Sequence, residues 1–148
     1  MDSSTINKIM RKDKDFIGCF AFDNLPKIPA KFPAKFIINT GAAKTDGEHW
    51  VAVLMNSKEC FYFDSFGLPI INVELLEYIK NKYKSVIYSE VCIQHHLSNM
   101  CGPFCIYFLS MVKTKESYRK FINSFSHNDL LVNDKRMEKY LNKVKIKI

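Results

Sequence analysis

The sequence predicts an α+β fold in a single domain over residues 1–148. Three short runs between residues 34 and 63 are rich in β-branched and aromatic side chains, and a polar link joins the last two. Residues 101–112 are almost wholly apolar and read as a buried helix. The order helix, strands, helix, strand and then helices completes the α+β assignment.

Each element has a local reason. Ser3 or Ser4 caps a short helix over Ser4–Arg11, with Ile6, Ile9 and Met10 on one face. Pro26, Pro29 and Pro33 make Asn24–Pro33 an extended surface connection. Ala34–Asn39 reads as a strand, and Thr40–Glu48 (TGAAKTDGE) as a turn-rich loop. His49–Met55 and Glu59–Phe63 form an antiparallel hairpin about Asn56-Ser57-Lys58. Asn72 caps a helix over Val73–Tyr83 with Leu75, Leu76 and Ile79 inward. Val86–Tyr88 is a short strand, Ser89–Met100 a loop and Cys101–Val112 the buried helix. Two helices follow, near Glu116–Ser124 and Lys135–Lys143, and His127 has no role beyond a helix start.

Composition narrows the function classes. The chain is 47% hydrophobic and 14% aromatic, enough to build a core and to exclude general disorder. No run reaches the roughly 18 apolar residues of a membrane span. The start MDSSTINKIMRKDKD lacks the apolar core of a signal peptide. An intracellular protein, or one carried in a particle assembled there, is the expectation. Its five cysteines are then reduced thiols, mostly core filler. The net charge of +7 suits acidic partners such as nucleic acid as well as it suits ordinary solubility. The lysines concentrate only in Lys8–Lys14 and Lys135–Lys145.

Four polar positions carry the chemistry. Pro103 is tolerated only in a first helical turn, so it places Cys101 at a helix N-terminus, where unpaired amides and the dipole favour a thiolate. Gly102 permits close approach of a backbone or substrate. His49 opens a strand and reaches a cleft while Trp50 takes the opposite face. The hairpin returns Asp64 beside His49, where a carboxylate orients the ring and stabilises its cation. Gln94, seven positions before Cys101, supplies a side-chain amide for an oxyanion together with the Cys101 N–H. Nucleophile, base, orienting acid and oxyanion donor make a cysteine hydrolase. Each residue also has an ordinary structural explanation: a buried thiol, a strand-ending turn residue, an exposed loop glutamine. A rival zinc site drawn from Cys92, His95, His96, Cys101 and Cys105 lacks paired ligand spacing, and Cys105 lies inside the apolar run.

The segments GEHWVAVLMNSKECFYFDSFG and QHHLSNMCGPFC resemble the adenovirus endopeptidase (adenain) family. The wider clan of Ulp-type SUMO proteases shares His-Trp, Asp, Gln and Cys-Gly in this order. FIGCFAFDNLP and IINTGAAKTDGEHW extend the resemblance, which runs from about Asp15 to Leu109. It implies an Ulp/adenain-like fold, a central mixed sheet flanked by helices with the nucleophile at a helix N-terminus. It also implies His49 as base, Asp64 as orienting acid, Gln94 as oxyanion donor and Cys101 as nucleophile. Trp50 and Gly102 would border a narrow cleft for glycine. The adenovirus enzymes often have glutamate as the acid, so Asp64 is closer to the cellular relatives. The implied activity is a viral endopeptidase that cuts capsid or core precursors during particle maturation. A monomer would act in the host nucleus or a viral factory and be packaged in the virion. DNA or a viral peptide is the implied activator, although the cysteine that receives such a peptide has no clear counterpart beyond the offset Cys92. The short chain suggests a minimal viral or Polinton-type relative. The alternatives are removal of a ubiquitin-like modifier, against which stand only 48 residues before His49, and a basic DNA-binding module without catalysis.

Overall fold

A computed structural model of the chain describes residues 1–41 and 49–147. The expected loop therefore lies outside the described residues from position 42 to position 48. The elements are α1 (Ser3–Met10), β1 (Phe16–Ala21), β2 (Ala34–Asn39), β3 (Trp50–Met55), β4 (Cys60–Phe63), α2 (Val73–Lys80), α3 (Cys101–Met111), α4 (Lys115–Asn123) and α5 (Leu130–Ile146). The architecture is the expected α+β. One sheet runs in the order β1-β2-β3-β4, with β1 parallel to β2 and the other pairs antiparallel.

The sheet has a core on both faces, which explains why β2, β3 and β4 are buried almost without interruption. Alternation assigns each side chain to a face. Ile37, Trp50, Ala52, Leu54, Phe61 and Phe63 join α3, α4 and α5. Phe36, Ile38, Val51, Val53, Tyr62 and their neighbours pack with Leu75 and Ile79 of α2. The Phe63 and Phe108 rings stack at 4.7 Å, fixing α3 across β4.

Several boundaries differ from the sequence expectations. Asp2, not Ser3 or Ser4, caps α1 by accepting from Thr5 N at 2.8 Å. β1 is an additional strand, irregular between Phe16 and Gly18, where Gly18 has φ +134°. Asn72 does cap α2, but the helix ends at Lys80. Tyr83 remains packed and donates its hydroxyl to Asn56 O. The expected strand at 86–88 is one bridge between Ile87 and Phe61. Helix α5 starts at Leu130, earlier than expected; its buried face includes the polar Asn133 and Asp134, which break the apolar periodicity there. His127 contacts Ile122 O before that helix begins.

Turn 64–67 joins two parts of the fold. Gly67 has φ +73°, and its N–H donates to Asp64 O at 2.8 Å. A Cβ there would lie 2.6–2.7 Å from backbone atoms of Glu90, Val91 and Cys92. Glycine thus permits both the left-handed turn and the close passage of the 90–92 segment. Gly67→Ala should lose about 1–2 kcal/mol through the left-handed backbone and about 1–3 kcal/mol through overpacking. Urea unfolding measures that loss, and an unchanged midpoint would refute this role of the turn.

Candidate active site

The antiparallel β3–β4 register ends with Ala52 opposite Phe63. Extended further, it sets Asp64 near the start of β3 and Phe66 opposite His49. There His49 Nε2 and Asp64 Oδ1 are 2.7 Å apart, and the Phe66 ring stacks on the imidazole at 4.6 Å. Asp64 Oδ1 also accepts from Phe66 N at 2.8 Å, so the turn holds carboxylate and aromatic together. Phe66 was not singled out from the sequence. Its signal was the phenylalanine two residues after the acid in FDSFG.

Cys101 comes from the other face of the sheet. It is the first residue of α3, whose N-terminus has no side-chain cap. Pro103 occupies the first turn, as its missing N–H predicts. The Cys101 sulfur meets the His49 side chain and the backbone N–H groups of Trp50 and Gly102. With Nε2 on Asp64, Nδ1 is the ring nitrogen available to the thiol. The structure thus brings three of the four predicted polar residues together.

The electrostatics distinguish Cys101 from the other thiols. Burial opposes its ionisation, but His49 and the Trp50 and Gly102 amides outweigh burial and lower its pKa. Burial alone pushes Cys19 and Cys60 up to about 12. It also raises Cys92 and the fully enclosed Cys105. Burial likewise opposes protonation of His49, but Asp64 and Cys101 overcome it and raise its pKa to about 9. Both directions favour a thiolate beside an imidazolium.

Gln94 is buried, not solvent-exposed. Its Oε1 accepts from the Ser65 hydroxyl, while Nε2 donates to Ser98 O at 3.0 Å and Ser98 Oγ at 3.1 Å. These partners assign the two ends of the amide. Trp50 is buried with the α3-side core, and its Nε1 donates to Met1 O at 2.9 Å. The close approach at Gly102 is made by Met1, whose Sδ would be 3.0 Å from an added Cβ. A cavity of about 430 Å³ opens beside His49 and Asp64 between Phe22, Leu68, Ile71 and Leu75.

The rival zinc donors serve other contacts. His95 and His96 stack on each other, Cys92 donates to Gln94 O, and Cys105 donates to Trp50 O. Among the described residues, no three His, Cys, Asp or Glu gather to hold a metal ion. No helix among them is long and apolar enough to cross a membrane.

A family model described as adenovirus endoprotease matches residues 16–143. The chain is 31% identical to a protease of bovine adenovirus 7 over 90 residues, covering 49% of this chain and 44% of the relative. It is 31% identical to a protease of human adenovirus B serotype 3 over 112 residues, covering 66% and 50% respectively. The chain spans about half the length of these curated relatives. A crystal structure of an ASFV protease aligns with TM-score 0.48 and 16% identity over 94% of this chain and 64% of that one.

The ion pair sets the pH dependence of thiol reactivity. With its pKa lowered, Cys101 retains thiolate character as pH falls below the ordinary thiol value of about 8.5. Alkylation should therefore select Cys101 at neutral pH. His49→Ala should move its profile toward that ordinary value, followed by iodoacetamide labelling and peptide mapping. Equal labelling of several cysteines in the parent, or an unmoved profile in His49→Ala, would refute the pairing.

Proposed function

The chain belongs to the adenovirus endoprotease family, and from that premise we propose that it is a viral cysteine endopeptidase of particle maturation. The observation that carries this reading is the Cys101 thiol paired with an imidazole that Asp64 holds. Capsid and core precursors are its substrates, with glycine before the cut. The protease acts as a monomer in the host nucleus or a viral factory and is packaged with its substrates.

The reaction follows from the site. Cys101 thiolate attacks the scissile carbonyl carbon, and the carbonyl electron pair moves to oxygen. The Cys101 N–H and the Gln94 amide stabilise that oxyanion in a water-poor site. As the tetrahedral species collapses, the C–N bond breaks and His49 gives its proton to the departing amine. His49 then takes a proton from water, which attacks the thioester and releases the acid and Cys101 thiolate. Asp64 keeps Nδ1 directed at these transfers and stabilises the ring's positive charge. Phe66 covers one face of the ring.

The basic surface supports DNA as a partner. Lys8, Arg11 and Lys12 meet Lys147 around one cavity, joining two ends of the chain. Lys135, Arg136, Lys139 and Lys143 line a second along α5. DNA or a viral peptide is the activator this reading admits, so activity should be measured with and without each.

Cleavage of a precursor peptide with glycine before the scissile bond should vanish in Cys101→Ala and leave an acyl-enzyme detectable by mass in the parent. Cleavage by Cys101→Ala at the parent rate would overturn the mechanism. Preferential processing of a SUMO or ubiquitin fusion would favour modifier removal instead. Duplex DNA affinity should fall with added salt, with a logarithmic slope of about −0.9 per neutralised phosphate. A flat response would remove DNA from the reading.

A further inference from the structure

Gln94 is held by one group far from it in sequence and one close to it. Ser65 O accepts from Ile93 N at 2.9 Å and from Gln94 N at 3.1 Å, and the Ser65 hydroxyl donates to Gln94 Oε1. The backbone of this loop is thereby tied to the residue next to Asp64. At the other end of the amide, Ser98 accepts from Gln94 Nε2 through both its carbonyl and its hydroxyl oxygen. The same hydroxyl accepts from Met100 N at 3.2 Å and donates to Asp134 Oδ1 at 3.1 Å.

The hydroxyl of Ser98 has one hydrogen, and Asp134 receives it. Its oxygen must then act as acceptor toward Gln94 and Met100. That polarity keeps a donor, rather than the carbonyl end of Gln94, on the Ser98 side. The Ser65 hydroxyl, free to donate, completes the same orientation from the other end. Asn133 fastens α5 to the loop as well, donating to Ile93 O at 2.9 Å. Asp134 Oδ2 is buried without a hydrogen-bond partner among the described residues. An unpaired carboxylate oxygen is costly to bury. Burial raises the Asp134 pKa, and the Ser98 hydroxyl and the His95 backbone N–H oppose that rise.

We propose that Ser98 and Asp134 are positioning residues that set the orientation of the Gln94 amide for oxyanion stabilisation. This rests on the endopeptidase reading, in which Gln94 meets the developing charge. Both acceptor atoms belong to Ser98, so one residue fixes the nitrogen end of the amide. Asp134 acts through Ser98 and also meets the His95 backbone N–H, one residue beyond Gln94. Ser98 also orients the Met100 N–H, one residue before the nucleophile, so amide and nucleophile share one anchor.

The test separates oxyanion stabilisation from formation of the thiolate. Ser98→Ala should lower kcat by roughly 10-fold, a fraction of the ~10²–10³-fold cost of losing an oxyanion donor. KM and the rate of Cys101 alkylation should stay near parental values, because neither reads the oxyanion. Ser98→Thr, which keeps the hydroxyl, should restore kcat. In a Gln94→Ala background, Ser98→Ala and Asp134→Ala should have little further effect on kcat, since the group they orient is gone. Full additivity with Gln94→Ala would overturn the proposal. So would an unchanged kcat in Ser98→Ala, or alkylation that falls in parallel with turnover, which would mark general loss of structure. Cys101-dependent turnover with an unaffected Ser98→Ala defeats this inference alone. Absence of Cys101-dependent turnover in the parent defeats the endopeptidase reading and this inference together.

Discussion

The contact between His49 and Asp64 is the constraint on which the site depends. Its 2.7 Å separation leaves one ring nitrogen for the thiol and makes the cation tolerable in a half-buried position. An imidazole held this way without its carboxylate would lose its charge to burial. The β3–β4 hairpin supplies that contact at low entropic cost, because only fourteen residues lie between the partners and two paired strands already fix most of them. Turn 64–67 then adds Phe66 over the ring and keeps the carboxylate from rotating away.

The sheet explains why Cys101 and His49 meet at a strand end. β3 faces α3 through Trp50, Ala52 and Leu54, so the helix lies along the strand and its N-terminus reaches the strand's first residues. Cys105, one turn further along, touches Trp50 O, and the Cys101 sulfur takes the Trp50 N–H. One strand residue thus accepts from the Cys105 thiol and donates to the Cys101 sulfur. The difference between the thiols follows from position along a single helix. At its start unpaired amides and His49 compensate the charge, while one turn deeper nothing does.

The parts of this arrangement that were legible in the sequence are the local ones. The hairpin was readable from Asn56-Ser57-Lys58 between two apolar runs, and α3 from its apolar length and Pro103. Asn72 announced α2 through a short-range capping bond. β1 was obscure because it joins β2 in parallel, which leaves no turn signature, and because Gly18 interrupts its pattern. The early part of α5 was obscure because Asn133 and Asp134 occupy buried positions where periodicity expects apolar residues. Gln94 could be proposed from its distance to Cys101, but its anchors could not. Ser65 and Asp134 lie 29 and 40 positions away, and short polar side chains carry no periodic signal for such pairings.

These anchors tie the loop bearing Gln94 to the turn bearing Asp64. Asp64 and Ser65 are consecutive, one serving the imidazole and the other the loop that carries Gln94. Gly67 brings the 90–92 segment against the same turn. A displacement of this turn therefore bears on Asp64 and on Gln94 at once. Helix α5 opposes such movement from the far side through Asn133 and Asp134. Asn133 of α5 holds the loop backbone, while Asp134, through Ser98, does what apolar packing cannot: it favours one orientation of a carboxamide whose two ends have almost the same shape.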